Sequence, residues 1–197
     1  MDSFMPAFAA LIKPFYGLIF LLAIPLSAQA NAFEIKFVEV SKIGEGYSVD
    51  ARIGYQLTPI IEEALDNGVP ITFVQQLEIV RRTPVLWNIW NWDQDIWLHK
   101  IQYELRYHDL SQQYILYAFD SQTYRNFPTL TGALNAMGEI GALQLPREYT
   151  ANPRGLMLRL RSGIDVSALP SPMRPGAFLS RKWKLNSPWY EAEWPSE

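Results

Sequence analysis

Two histidines, a pair of aspartates and a run of tryptophans are the side chains whose type and spacing could do chemistry in this chain. His99 and His108 are nine positions apart on what reads as one strand. An odd separation sends them to opposite faces, so they cannot share a metal unless a bulge intervenes. The chain has no cysteine. That excludes a disulfide, a thiolate metal site and a thiol nucleophile, and leaves a transition metal one His plus scattered carboxylates. Serine hydrolysis needs a nucleophile on a strained turn with a His base, and no G-x-S-x-G elbow is present. Ser180 and Lys182 sit at a strand entrance with no S-x-x-K pattern. Asp93 and Asp95 are the paired carboxylates that glycoside hydrolysis uses. At i, i+2 they read instead as exposed residues of a hairpin turn. No phosphate-cradling glycine loop or calcium loop occurs. The sequence thus predicts no catalytic residue, no metal and no cofactor, and a hydrolase built on Asp93, Asp95 or His108 is the weakest reading.

The run from Trp87 to Trp97 holds four tryptophans in eleven residues. Trp87, Trp90, Trp92 and Trp97 are the candidate partner-binding residues, because indoles exposed at a hairpin tip can anchor a protein, stack on sugar or sit at a membrane interface. Alternation places Trp87 and Ile89 on one side and Trp90 and Trp92 on the other, with some of the rings in the core. Charge is unevenly distributed. Residues 31–139 carry 8 basic and 14 acidic side chains, and residues 140–197 carry 8 basic and 5 acidic. Arg159, Arg161, Arg181 and Lys182 are the candidate anion-binding set, with solvated strand faces as the competing reading.

Period-two alternation dominates the elements that must position these residues. Phe33, Ile35 and Phe37 form one apolar face, and Tyr47, Val49, Ala51, Ile53 and Tyr55 another, joined across Gly44-Glu45-Gly46. A helix follows Thr58, with Pro59 at its first position, Ile61, Ala64 and Leu65 inward, and Gly68 as its stop. Val69, Ile71, Phe73, Gln75, Leu77 and Ile79 share one side of the next strand. Another strand runs from Ile96 to Tyr107, with Trp97, Ile101, Tyr103, Leu105 and Tyr107 inward. Tyr114–Phe119, Leu156–Arg161 and Lys182–Leu185 complete the predicted strands. A second short helix follows Thr129, Pro170, Pro172 and Pro175 mark an irregular connection, and the Trp189–Trp194 tail folds back onto the sheet. The expected fold is a mainly β, antiparallel sandwich-like domain with two short helices, with α+β as the alternative.

The chain opens with Lys13, an apolar run from Phe15 to Leu26, and Ala28-Gln29-Ala30. This is the plan of a secretory signal, too short to span a bilayer comfortably. Cleavage after Ala30 or Ala32 is expected. Removing 30 of the 197 residues leaves 167, enough for one domain. The expected location is the periplasm, and an uncleaved anchor in the inner membrane is the alternative.

Glu63-Ala64-Leu65-Asp66-Asn67-Gly68-Val69-Pro70-Ile71 resembles the E-A-L-x-x-G-V-P-L segment of a bacterial family of exported proteins known as a domain of unknown function. Arg81-Arg82 before the Trp-rich hairpin fits the same family. So do Leu105-Arg106-Tyr107-His108-Asp109-Leu110 with Tyr114, Phe127 through Ala133-Leu134, and Trp183-Lys184-Leu185 with Trp189. The resemblance covers most of the exported part, and it brings no catalytic residues. It implies genes often found beside a sensor kinase of the nitrogen-regulation type, hence envelope sensing. The leading expectation is a non-enzymatic periplasmic module whose partner is an envelope protein, such as the outer segment of a membrane sensor. A glycan or an anionic lipid surface is the alternative partner. The compartment and the net charge of −3 exclude nucleic acid.

Overall fold

A computed structural model describes residues 33–85 and 90–195, with no account of the Trp90 side chain. The export segment and Trp87 lie outside the described residues. The unit Asn31–Glu197 is compact, and the described side chains of its two apolar cores all come from within it.

The alternation of apolar residues is realised as two antiparallel sheets. Strands β1 (Phe33–Ile43) and β2 (Gly46–Tyr55) form a hairpin in register from Ile43↔Gly46 to Phe33↔Tyr55, and β2 also pairs with β7 (Glu139–Gln144). The larger sheet contains β3 (Ile71–Val85), β4 (Trp90–His108), β5 (Gln113–Ala118), β6 (Thr123–Phe127), β8 (Leu156–Ile164) and β9 (Tyr190–Glu193). Its spatial order is β6-β5-β4-β3-β8-β9. Among the described residues four helices accompany the sheets, against the two expected: α1 (Pro59–Asp66), α2 (Leu130–Met137), α3 (Arg147–Thr150) and α4 (Arg174–Leu179). The mainly β reading therefore holds.

Helix α1 begins with Pro59, buries Ile61, Ala64 and Leu65, and ends at Gly68, whose φ of 77° few other residues accept. The Thr58 side chain does not cap this helix. Its Oγ1 donates to the Lys182 carbonyl instead. Thr129 does cap α2, accepting from the Gly132 N–H.

The inner face of the larger sheet meets two partners. The β1-β2-β7 sheet covers one part through Ile35, Val38, Val49, Ile53 and Ile140, packed on Leu77, Ile79, Leu158 and Leu160. Helical side chains Ile61, Leu65, Ala133, Met137 and Ala177 cover the other, around Phe33, Phe73 and Leu105. Tyr55 touches both cores. Its ring is edge-on to Phe33 at 4.8 Å and to Phe73 at 5.5 Å. Buried Gln75 donates to the Tyr55 hydroxyl and to the Met137 carbonyl. Tyr55 in turn bonds Ser162 at 3.0 Å. A polar side chain in a core is tolerated when its donors are paired in this way.

Burial pushes the Tyr55 hydroxyl up to about 12, against the opposing pull of its bonds to Ser162 and Gln75. An unfolded tyrosine ionises near pH ~10. The unfolded chain therefore loses this proton first, and the contribution to stability is whole below that pH and lost as pH rises toward 12. Tyr55→Phe should flatten this alkaline loss in urea midpoints measured across that window. An unchanged slope would show that Tyr55 is not its source.

Two local expectations are corrected. An extra residue between Ile35 and Phe37 forms a bulge in β1, so Phe37 turns outward at 43% exposure while Val38 and Val40 take the buried face. Lys182–Leu185 is not a strand. Turns carry its first half, with the Trp183 N–H donating to Ser180 and the Lys184 N–H to Arg181; beyond them the Leu185 carbonyl accepts from the Ile164 N–H and Asn186 makes a single bridge to Gly163 of β8. The strand that closes the sheet is β9. Strand β6, mostly exposed and without an apolar face, had no alternation to reveal it.

Candidate interaction site

The β3–β4 hairpin is longer than anything beside it. It pairs from Ile71↔Leu105 to Val85↔Trp90, whereas β8 leaves β3 at Arg81 and β5 leaves β4 at Tyr103. Residues Arg82–Val85 and Trp90–Asp93 therefore form a two-stranded arm. Among the described residues no strand pairs with the outer edge of β4 from Asn91 to Ile101.

A bulge decides which side chains share a face of this arm. The pairing shifts between Ile79 and Val80, leaving Ile96 as the extra residue of β4. Without it, Trp92 would point away from Trp97, five residues along. With it, Trp97, Gln94 and Trp92 pair with Ile79, Arg81 and Thr83, which share one face of β3. Trp97 is half-buried against the second core. Trp92, beyond the cover of the smaller sheet, is 71% exposed.

The same bulge moves Asp93 and Asp95 onto the opposite, outer face. They are not turn residues, as the sequence suggested, but strand residues in ion pairs. Arg82 holds Asp93 through two bonds of 2.9 Å, and its Nη2 also lies 3.4 Å from Glu191 of β9. This bidentate contact keeps the Asp93 carboxyl below the usual carboxylate range. Arg159 reaches Asp95 at 2.8 Å and Glu78 at 3.6 Å. The arm is pinned at its base as well, where the Arg82 N–H donates to the Gly155 carbonyl at 2.7 Å. Gly155 has φ 69°, and a Cβ there would lie 2.7 Å from the Arg82 carbonyl oxygen. A groove of about 740 Å³ beside this base is lined by Arg82, Pro84, Asn91, Arg154 and Trp194, among others.

The candidate anion-binding residues do not converge. Arg159 is committed to its two carboxylates. Arg161 donates to Gln76 and lies over the Trp189 ring at 4.3 Å. Arg181 and Lys182 are exposed in the turns after α4, a different part of the molecule. The histidines are on opposite faces of β4, as their odd spacing requires. His99 stacks on Trp97 at 5.5 Å, and His108 Nδ1 is 3.1 Å from the Ser111 hydroxyl. No group of three metal-ligating side chains forms among the described residues. What the geometry offers is therefore an exposed indole on a braced arm. Its braces, Glu191 and Gly155, were not anticipated; the Arg81-Arg82 pair facing Asp93-x-Asp95 across the hairpin was the one available signal.

The chain belongs to the family described as Domain of unknown function (DUF4390), which matches residues 30–193. No curated protein and no solved structure matches it.

Proposed function

We propose that this protein is an exported, periplasmic, non-enzymatic interaction module that docks an envelope protein through the Trp92 face of its β3–β4 arm. The observation that carries this reading is the exposure of Trp92 on a hairpin that is pre-organised by Arg82–Asp93 and Arg159–Asp95. A rigid indole buries a large area at little entropic cost, so it serves as an anchor. The export pattern of residues 13–30 supports the compartment, and the open edge of β4 gives a partner backbone groups to pair with. The outer segment of a membrane sensor is the partner class this reading favours.

Envelope extracts passed over immobilised protein test the proposal. The wild type should retain a discrete partner, and Trp92→Ala should weaken that retention by at least about thirtyfold, the loss of a tryptophan hot spot. Equal retention by the variant, or none by the wild type, would overturn it.

A further inference from the structure

A second surface lies at the other end of the long strand. From Val166 to Tyr190 the chain carries four cations, Arg174, Arg181, Lys182 and Lys184, and no carboxylate. The same segment presents two adjacent apolar side chains at the last turn of α4, Leu179 at 89% exposure and Phe178 at 48%. Ala177, Trp183 and Leu185 are the residues that face the core, so Phe178, Leu179, Arg181, Lys182 and Lys184 are left on the outside. Arg174 and Phe178, at i and i+4, lie on one side of the helix. None of the four cations is ion-paired among the described residues.

This surface is fixed before it meets anything. The Ser180, Trp183 and Lys184 N–H groups donate to Ala177, Ser180 and Arg181, and Arg174 Nε donates to the Leu169 carbonyl. Thr58 of the α1 entrance holds the Lys182 carbonyl. Scattered exposed leucines are ordinary on a protein surface. A phenylalanine and a leucine side by side at a helix end, among unpaired cations and with no acid in the segment, are not.

We propose that α4 and the turns after it form a docking surface for an anionic lipid bilayer, with Phe178 and Leu179 entering the headgroup layer and Arg174, Arg181, Lys182 and Lys184 meeting lipid phosphates. The charge pattern selects this occupant, since a bilayer offers an apolar layer beneath a dense anionic one. Glu63 of α1, across the groove shared with Met173 and Trp183, is repelled by such a surface, so α4 and not α1 makes the contact. Asp165, just before the turn on which α4 packs, is bonded to Thr72 at the start of β3. The arm lies at the end of that strand, roughly 35–40 Å away by strand rise. Docking at α4 leaves the arm free, so this inference is independent of the arm's role.

The unit Asn31–Glu197, which holds both cores, is the material for the test, because it lacks the apolar run of the export segment. It should co-sediment with vesicles of phosphatidylcholine containing an equal share of phosphatidylglycerol, and not with phosphatidylcholine alone. Arg181→Gln with Lys182→Gln should lower binding about thirtyfold, at the usual contribution per cation, and salt should weaken it as well. Phe178→Ser with Leu179→Ser, at exposed positions, should lower it at least tenfold, roughly the value of the buried apolar area. Trp92→Ala should leave it unchanged. Failure of the wild type to bind, equal binding to neutral vesicles, or indifference to both double substitutions would overturn the proposal. So would a dimer of the unit that Leu179→Ser dissociates without any vesicle binding, which would assign the surface to a second copy of the chain.

Discussion

Gly138→Ala should lower the stability of the domain by about 3 kcal/mol, at the top of the range for overpacked sites. Gly138 follows α2 with an ordinary φ of −74°, so conformational freedom is not what the position requires. Close approach is. A Cβ there would lie 2.2 Å from the Ile53 carbonyl oxygen, and both groups are backbone. The Gly138 N–H closes α2 on Leu134, and its carbonyl accepts from the Ile53 N–H, so the residue joins helix to sheet. Neither side can retreat without breaking one of these bonds. Gly141, three residues on, has open space around its Cβ position, and Gly141→Ala is the control, expected within about 0.5 kcal/mol of the wild type. Urea unfolding of both variants measures the difference. Similar midpoints for the two would show that β2 and α2 are not held this close together.

Phe73→Ala should cost about 3–5 kcal/mol, the usual range for emptying a buried aromatic site. Against a total of about 5–15 kcal/mol, that brings the domain near its unfolding threshold. Phe73 is fully buried, 6.0 Å from Phe33 and edge-on to Tyr55. Its ring fills the space where β1, β2 and β3 meet the helical cover, and these elements cannot all collapse into the vacancy. Phe73→Leu, which keeps most of the volume, should cost under about 1.5 kcal/mol. A loss below about 1 kcal/mol for the alanine variant would mean that the surrounding side chains repack freely.

How far the fold could be read from the sequence depended on whether a segment has one buried face. Strand β3 could be read because Ile71, Phe73, Gln75, Leu77 and Ile79 pack inward at every second position without interruption. Helix α1 could be read because Pro59 and Gly68 act locally, through φ preferences that need no tertiary partner. The opposite placement of His99 and His108 followed from counting, since β4 pairs regularly between them. The bulges at Lys36 and Ile96 could not be read. An inserted residue exchanges the two faces of everything beyond it, and nothing in Ile35-Lys36-Phe37 or Asp95-Ile96-Trp97 announces it. For that reason alternation puts Phe37 on the wrong side, and Asp93 and Asp95, which read as turn residues, owe their outer face to the second bulge. The Lys182–Leu185 alternation misled in the opposite sense, because turns that run into a single bridge can also bury every second residue.

The residue order by itself determined the chemical inventory: no thiol, two histidines nine positions apart, a cluster of indoles and a cationic C-terminal third. These are properties of composition and spacing, which no folding event can change. Tertiary structure alone decided which charges are spent and which remain available. Arg159 meets Glu78 and Asp95 only because three strands lie side by side, while Arg181 and Lys182, on the turns after α4, make no ion pair among the described residues. The energy of an ion pair depends on distances between atoms far apart in the chain, and those distances do not exist until the sheet has formed.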